Sequence, residues 1–364
     1  MNNKSSFLAV VLIFLLFINL FAQDYSKLDV NKTITVNYEP YSWEMAAPEE
    51  LNVNLEKLDD FLENIKEWEN LQSILVIKDE KILLEKYYKG TNRYSAFNTY
   101  SITKSFTSAL IGIAIKNNLI KSENEPVLSF LPEYWENMND ERKERLTIKH
   151  LLTMTGGIEP EKWWNPNIDY ALLQAPMKSN PGEKFYYYNA LPHMLSVVIT
   201  KSSELTIKEF AENHLFDPLG INCAYWKKDG KYFSGRSNTY FTPRDLARLG
   251  SLYLKKGNID GNQIIDTTWI DNSFMNYADS DQNFFLTGHK VNQTGYGYLW
   301  WILEAGNTTY YAAYGAGDQF LIINPLDNTI VVVSQLYKDT WFEKKEDIDK
   351  LYELLKIFSR DNRE

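Results

Sequence analysis

The sequence predicts a protein of the α+β class, in which an antiparallel sheet is built from both ends of the chain and an all-helical lobe is inserted between them. Runs typical of strands lie at 73–88 and again from 296 to 334. The intervening segment, about 121–284, carries apolar residues at helical spacing between Gly and Pro turns. We therefore expect a sheet lobe of about 45–120 and 285–364, flanked by helices.

The first 22 residues indicate an export signal. Lys4 precedes an uninterrupted apolar run from Phe7 to Ile18, and polar residues follow a predicted cleavage point after Ala22. A retained N-terminal anchor is the alternative, but the run is shorter than the ~20 residues of a membrane-spanning helix. We predict an exported chain, periplasmic or secreted, with a single domain over 23–364 and no membrane span in the mature protein.

The composition is that of an ordinary globular protein, with 44% hydrophobic and 24% charged residues. A formal net charge of −10 argues against nucleic acid or an anionic membrane as a partner. Cys223 is the only cysteine, so no internal disulfide can form. The histidines lack the spacing of metal ligands and no glycine-rich phosphate loop occurs, so we expect neither a metal nor another cofactor. The histidines are His150, His193, His214 and His289.

The N-terminal part of the domain is predicted to form a helix, a hairpin and a second helix. Apolar residues recur at helical spacing over 51–68, with charges between them. Strand-like runs at 73–77 and 82–88 flank a short charged turn, which indicates a β-hairpin. The stretch 98–115 then ends in an almost wholly apolar run, which is typical of a buried helix.

Further helices and strands follow along the chain. Thr147 is expected to cap a short helix that Gly156 and Gly157 end, and Thr242 opens a later helix that ends at Gly257. The other predicted elements are helices at 191–200, 206–216 and 343–358, and strands at 296–302, 308–314, 319–324 and 328–334.

Ser101 and Lys104, at the first turn of the predicted buried helix, are the first candidates for chemistry. Their i, i+3 spacing places both side chains on one face. Free N–H groups at a helix N-terminus bind negative charge, and burial disfavours the ammonium form of lysine, so Lys104 would activate Ser101 as a nucleophile. A chance pair is the alternative, since about one or two Ser-x-x-Lys sequences are expected in a chain of this length. This one is the only one present.

A second segment offers partners for Lys104. Tyr187 and Asn189 follow a Pro-Gly turn, and on a short loop the first and third side chains point the same way. Tyr187 would share the proton of Ser101 with Lys104 and later pass it to the leaving group, while Asn189 would orient Lys104.

Trp163 and Trp164 belong to an aromatic, proline-bearing loop over 158–170. They either line the cleft expected between the two lobes and bind substrate, or pack on the core. Both interpretations stay open.

A set of segments carries a resemblance to a known family. They are Ser101-Ile-Thr-Lys104, Thr147-Ile-Lys-His-Leu-Leu-Thr-Met-Thr-Gly-Gly157, Pro181-Gly182, Tyr187-Tyr-Asn189, Asp217-Pro-Leu-Gly220, Arg244-Asp-Leu-Ala-Arg248 and Tyr296-Gly-Tyr-Leu-Trp-Trp301. In this order they resemble the motifs of serine hydrolases of the β-lactamase and D-Ala-D-Ala peptidase type, in the class C-like group that includes esterases, D-aminopeptidases and 6-aminohexanoate-dimer hydrolase. The resemblance covers roughly 70–360. It implies a β-lactamase-like fold and cleavage of a small-molecule ester or amide through an acyl-enzyme on Ser101.

The third element of the family's site departs from its pattern. The family has Lys or His, then Ser or Thr, then Gly on the strand lining the site, whereas the counterpart here is Tyr314-Gly-Ala-Gly-Asp-Gln319. The segment Lys255-Lys256-Gly257 resembles the family's third element in its letters only, because it lies at a predicted helix end. The usual cation for a substrate carboxylate is therefore missing, which weakens the expectation that β-lactams or D-Ala-D-Ala peptides bind.

The same strand is still expected to contribute through its backbone. An N–H group of Gly317 or Asp318, together with that of Ser101, would form the oxyanion hole. Tyr314 is the candidate for substrate binding on this strand.

Two alternatives to the Ser-Lys-Tyr hydrolase are open. A Ser-His-Asp triad ranks lower, because no Gly-x-Ser-x-Gly elbow occurs and no histidine lies in a nucleophile context. A non-catalytic or slowly acylating penicillin-binding-like protein, which senses or binds its ligand, is motivated by the irregular third element. Retention of all the site side chains favours the enzyme.

Overall fold

The structure is a computed structural model that describes residues 29, 31–51, 53–65, 68–160, 162–278, 290–337 and 345–358. The predicted export signal over 1–22 lies outside the described residues, and so does His289. Residues Thr33–Glu364 form one compact unit. Within the described ranges, no helix is long and apolar enough to cross a membrane.

Strands lie towards both ends of the described chain and helices predominate in its middle. The strands are β1 (Ile34–Thr35), β2 (Glu44–Met45), β3 (Leu71–Lys78), β4 (Lys81–Tyr87), β5 (Ser95–Asn98), β6 (Tyr225–Trp226), β7 (Lys228–Asp229), β8 (Tyr232–Phe233), β9 (Thr239–Phe241), β10 (Asn258–Ile259), β11 (Asn262–Gln263), β12 (Val291–Tyr296), β13 (Trp301–Ala305), β14 (Thr308–Gly315), β15 (Gln319–Asn324) and β16 (Thr329–Gln335). The α-helices are α1 (Leu55–Asn64), α2 (Thr103–Lys116), α3 (Ile148–Leu152), α4 (Ala190–Ser203), α5 (Ile207–Ala211), α6 (Asp217–Leu219), α7 (Pro243–Leu254), α8 (Thr267–Ser273) and α9 (Lys345–Ile357).

The main sheet joins the two ends of the chain. Its order is β12-β13-β14-β15-β16-β3-β4-β2, so the N-terminal hairpin β3–β4 pairs with the C-terminal strand β16. The strand pairs are antiparallel, except that β2 runs parallel to β4. The predicted α+β fold, with a sheet built from both ends, is confirmed.

Helices cover both faces of this sheet. α7 packs on β15, β16 and β3, and α9 packs on β12 and β13. Ile330 lies against Gly250 of α7, whereas the next residue, Val331, lies with Leu355 of α9 around a small cavity. Because successive side chains of a strand point to opposite faces, the two helices lie on opposite sides. This explains why all eight residues of β3 are buried.

The predicted strand over 296–302 is wrong. β12 ends at Tyr296 and β13 begins at Trp301, and the chain turns between them, with Leu299 at φ +59°. A Cβ on Gly297 would lie 2.0 Å from the Ser273 carbonyl oxygen, so glycine allows the end of α8 to approach this turn.

Two predicted helices also differ from the structure. The helix predicted over 51–68 is shorter, because Asn54 caps α1 by accepting a hydrogen bond from Lys57 N at 3.0 Å, and α1 ends at Asn64. The helix predicted over 206–216 keeps its extent but changes type, since α5 continues as a π-helical turn over Glu212–Phe216.

A second, smaller sheet positions the candidate site. Its order is β1-β5-β9-β6, and β5 leads into a 3-10 turn over Tyr100–Ile102 and then α2. Thr99 N donates to the Thr239 carbonyl oxygen at 2.9 Å, and the hydroxyls of Thr103 and Thr239 lie 2.9 Å apart. These bonds tie the start of α2 to β9.

Candidate functional site

Ser101 lies in the tight turn that opens α2. Tyr100 adopts φ +45°, and its N–H donates to Asn98 Oδ1 at 3.0 Å. Positive φ is unfavourable for a bulky residue, so the surrounding contacts have to maintain this turn. The Tyr100 ring stacks on Tyr337, with ring centroids 5.4 Å apart. The helix that follows is buried from Thr103 to Ala114, as predicted.

Lys104 lies directly behind Ser101. Its Nζ is 2.8 Å from Ser101 Oγ and 2.8 Å from the Arg236 carbonyl oxygen. Burial of the side chain, which is only 2% exposed, lowers the pKa of Lys104 well below its ordinary value. The Arg236 charge lowers it further, and the Asp229 carboxylate opposes the change. A lysine in this state can take a proton from the serine.

Tyr187 completes the surroundings of Ser101. Burial raises the pKa of its phenol, while a hydrogen bond with Ser101 and the charge of Arg236 oppose the rise. Its ring stacks on Trp301 at 5.7 Å and 17°, and Lys104 Nζ lies 5.0 Å from the ring centroid. The structure therefore brings together three of the predicted side chains, with Tyr187 as a neutral phenol that can donate its proton.

Asn189 lies at the N-terminus of α4, with bonds to the neighbouring loop. Its N–H donates to the Trp163 carbonyl oxygen at 2.9 Å, and Nδ2 donates to that of Trp164 at 3.5 Å. Its Oδ1 is buried and has no hydrogen-bond partner among the described residues. The acceptors that the structure gives Lys104 are Ser101 and Arg236, so the orienting role of Asn189 stays a prediction.

The two loop tryptophans have different surroundings. Trp163 is half-buried against the core, and its ring meets that of Tyr187 edge to face at 6.0 Å. Trp164 is 52% exposed and meets Trp163 edge to face at 5.6 Å. The loop thus adjoins the Ser-Lys-Tyr group, and substrate contact by either ring remains a prediction.

The end of β14 runs against the turn that holds Ser101. A Cβ on Gly315 would lie 2.3 Å from the Thr99 carbonyl oxygen, so this approach requires glycine. Gly317 follows at φ +71° and packs on Tyr337. Tyr314 OH donates to Asp318 Oδ1 at 2.8 Å. The predicted oxyanion segment and the candidate Tyr314 therefore lie on a strand that contacts the Ser101 turn.

Two buried glutamines form hydrogen bonds to the carbonyl groups of the turn that contains Gly317 and Asp318. Gln319 Nε2 donates to the Gly317 carbonyl oxygen at 2.7 Å and to that of Gln335 at 2.8 Å. Gln335 Nε2 donates to the Asp318 carbonyl oxygen at 3.0 Å. Both side chains are almost fully buried. Pinning the carbonyl groups of this turn also fixes the planes of its peptide N–H groups.

The contacts made by Arg236, Asp229, Gln319 and Gln335 were not predicted from the sequence. Arg236 acts through its carbonyl oxygen, and a backbone group has no sequence signature. Asp229 was recognisable only indirectly, because Asp-Gly between aromatic and charged runs is typical of the hairpin that β7 and β8 form.

Two other groups of residues have structural roles. Gly257 has φ +83° and its N–H donates to the Leu252 carbonyl oxygen at 2.8 Å, which confirms that Lys255-Lys256-Gly257 is a helix end. His150 Nδ1 accepts from Thr147 N at 3.2 Å in the capping box of α3. The part of the chain that the structure describes contains no cluster of His, Cys, Asp and Glu able to hold a metal ion.

Comparisons with known proteins identify the family of the chain and agree with its fold. The Beta-lactamase family model matches residues 72–350. Penicillin-binding protein 4* of Bacillus subtilis is 23% identical over 308 residues, which cover 72% of this chain and slightly less than two thirds, 65%, of that protein. A structure described as a 6-aminohexanoate-dimer hydrolase from Bacillus anthracis is similar at TM-score 0.67, with 17% identity over 90% of this chain and 91% of that one. The D-amino acid amidase of Ochrobactrum anthropi SV3 has TM-score 0.65 and 13% identity, over 85% of this chain and 98% of that one.

Proposed function

Since the chain belongs to the Beta-lactamase family of serine hydrolases, we propose that it is an exported hydrolase that cleaves a small-molecule ester or amide through an acyl-enzyme on Ser101. The observation that carries the proposal is the 2.8 Å contact between Ser101 Oγ and the buried Lys104 Nζ. A serine next to a lysine of lowered pKa is an activated nucleophile.

The proton path follows from the two partners of Ser101. Lys104, in its neutral form, takes the Oγ proton while Oγ forms a bond to the substrate carbonyl carbon. When the tetrahedral intermediate collapses, Tyr187 donates its phenol proton to the leaving oxygen or nitrogen, and the proton held by Lys104 restores the phenol. A water molecule then attacks the acyl-enzyme by the same path in reverse, which releases the acid and regenerates Ser101.

The oxyanion is expected to bind backbone N–H groups of Ser101 and of the turn that contains Gly317 and Asp318. Donors aimed at the developing charge are commonly the largest single contribution to acyl transfer. The contact between Gly315 and Thr99 supports this pairing, because it brings the two segments together.

The proposed substrate has an uncharged acyl portion. Tyr314 and Asp318 lie at the end of β14, where the family's cation is expected, and neither supplies a positive charge. Aromatic rings of Trp163 and Trp164 adjoin the site and favour apolar contact.

The test is hydrolysis of short-chain esters, linear amides and cephalosporins by the purified chain and by Ser101→Ala. We expect Ser101→Ala to abolish turnover and covalent labelling by a fluorophosphonate probe, as located by mass spectrometry. Ser202→Ala, which removes a hydroxyl bonded to Ile199 near the end of α4, is the matched control and should keep both. Full activity of Ser101→Ala would refute the mechanism, and a wild-type chain that never takes the probe would instead favour a binding protein.

A further inference from the structure

The carbonyl group that holds Lys104 belongs to a residue whose side chain forms a buried ion pair. Arg236 Nε and Nη2 bind the Asp229 carboxylate at 3.0 and 3.2 Å, a bidentate arrangement. Their side chains are 15% and 9% exposed. Bidentate Arg–carboxylate pairs fix geometry as well as adding energy, so the pair constrains the backbone at Arg236.

The segment around Arg236 is held on both sides. Ser234 Oγ donates to Asp229 Oδ2 at 2.5 Å and accepts from Arg236 N at 3.4 Å. Thr107 of α2 donates to the Gly235 carbonyl oxygen at 2.8 Å. A Cβ on Gly235 would lie 2.2 Å from a carbonyl oxygen of α4, so the segment passes between two helices with no room for a side chain there. The Arg236 carbonyl oxygen is therefore a rigid acceptor for Lys104.

The charges that act on Lys104 are those of the same ion pair, Asp229 and Arg236. The ionisable groups around it are Tyr187 from the loop before α4, Asp229 of β7, and Arg236 from the segment after β8. His193 of α4 lies beside the Asp229–Arg236 pair. Burial raises the pKa of the Tyr187 phenol and lowers the pKa of the His193 imidazole, so both groups are neutral near pH 7. Among the described groups, Arg236 and Asp229 thus supply the charges that Lys104 experiences.

We propose that Arg236 and Asp229 are positioning residues for the reaction, which hold the Lys104 amine in place through the Arg236 carbonyl and set its protonation state through their opposed charges. This inference rests on the proposed role of Lys104 as the base. The cation favours the neutral amine and the carboxylate favours the ammonium form.

The two charges predict opposite shifts in pH dependence. Arg236→Gln leaves Asp229 uncompensated and raises the pKa of Lys104. The acidic limb of the pH–rate profile, in which the reaction of Ser101 becomes faster as Lys104 loses its proton, should then move to higher pH by about one unit. Asp229→Asn leaves Arg236 uncompensated and moves the limb to lower pH by a similar amount. A residue that only supports the fold would lower the rate without moving the limb.

The experiment measures, as a function of pH across the acidic limb and the plateau, the rate at which a fluorophosphonate labels Ser101. In this reaction a bond forms between Ser101 Oγ and phosphorus, the phosphorus–fluorine bond breaks, fluoride leaves, and the Oγ proton passes to Lys104. The probe reports on the base without requiring a known substrate. On the acidic limb of the wild-type pH–rate profile we expect Arg236→Gln to react about tenfold more slowly than wild type, and in alkali to approach the wild-type rate.

The controls separate charge from folding. Arg142→Gln and Asp140→Asn break another bidentate Arg–Asp pair, in the helical lobe, and should leave the limb unmoved. The double variant Arg236→Gln/Asp229→Asn carries no uncompensated charge, so its limb should return near that of wild type while its plateau stays lower. If one of the two single variants fails to fold, the other single variant and the double variant still test the direction in which the limb moves.

Limbs that stay fixed in the folded variants, or that move in the same direction, would overturn the inference while leaving the hydrolase intact. A wild-type Ser101 that takes no probe at any pH would instead overturn the proposed function, and the inference with it.

Discussion

Lys104 and Lys143, two of the buried lysines in this chain, differ in what their amines contact. Lys104 Nζ touches a serine hydroxyl and one carbonyl oxygen. Lys143 is fully buried as well, but its Nζ donates to Asn139 Oδ1 at 2.6 Å and to the carbonyl oxygens of Leu172 and Ala175 at 3.1 and 2.7 Å. An amine with three acceptors stabilises structure, whereas one with a hydroxyl partner is available for proton transfer.

Replacing each lysine by methionine should separate these roles. We expect Lys104→Met to reduce kcat/KM by about 10²–10⁴, since the base is lost, and to change the free energy of unfolding less than Lys143→Met does, since a single carbonyl loses its donor. Lys143→Met should instead keep kcat/KM and lower the free energy of unfolding by about 1–3 kcal/mol, because buried acceptors lose their donor. Steady-state kinetics and urea denaturation of both variants measure the two effects. Equal activity losses in the two variants would contradict this assignment.

The turn of the hairpin β14–β15, which we propose as part of the oxyanion hole, is held by side chains that are almost fully buried. Gln319 and Gln335 bond to the carbonyl oxygens of Gly317 and Asp318, and Gln335 Oε1 accepts from Trp68 Nε1 at 2.8 Å. The amide pair therefore links the turn to β16 and to the segment before β3.

Gln319→Met should misplace this turn while keeping the apolar bulk of the side chain. Loss of an oxyanion-hole donor costs about 10²–10³ in kcat elsewhere, and we expect a displaced turn to cost about tenfold in kcat with KM little changed. Gln263→Met is the matched control, because Gln263 Nε2 bonds to the carbonyl oxygens of Lys256 and Ile265 in another turn. A rise in KM with kcat unchanged would assign Gln319 to substrate binding instead.

Elements and site residues that are determined by side-chain type could be predicted from the sequence, whereas those determined by backbone contacts could not. The hairpin β3–β4 followed from two strand-like runs that flank a charged turn, and the buried helix α2 from an almost wholly apolar run. Ser101, Lys104 and Tyr187 followed from sequence motifs. The break between β12 and β13 was missed because an aromatic run hides the contact of Gly297 with α8. The Arg236 acceptor was missed because it is a peptide carbonyl, which every residue possesses.

Stability of the folded chain should depend on Asp245, at the junction of α7 with the N-terminal segment. Its Oδ1 accepts from Tyr41 N at 2.9 Å. Burial raises the pKa of this carboxyl to about 6, against the opposing hydrogen bonds of Tyr41, Thr242 and Tyr38. A folded-state pKa above the unfolded value stabilises the fold below the unfolded pKa, near 4, and this contribution is lost as the pH rises through about 6.

Asp245→Asn should remove that dependence. Between pH 4 and pH 7 the free energy of unfolding of the wild-type chain should fall by about 2 kcal/mol more than that of the variant, as urea denaturation at the two pH values would measure. Asp140→Asn is the control, because a hydrogen bond from Arg142 lowers the pKa of Asp140 to about 2. Ionised Asp140 therefore stabilises the fold, and most of this contribution changes below pH 4. A parallel pH dependence of wild type and Asp245→Asn would contradict this account.

The pairing of β3 with β16 also bears on how the chain is made. Roughly 250 residues separate these neighbours in the sheet, and at the usual rate of translation a ribosome needs on the order of tens of seconds to make them. Throughout that interval the edge of β3 that pairs with β16 in the folded chain has no partner strand. We therefore expect a chain that terminates before β16 to leave this edge unpaired and to be degraded faster than the full-length chain.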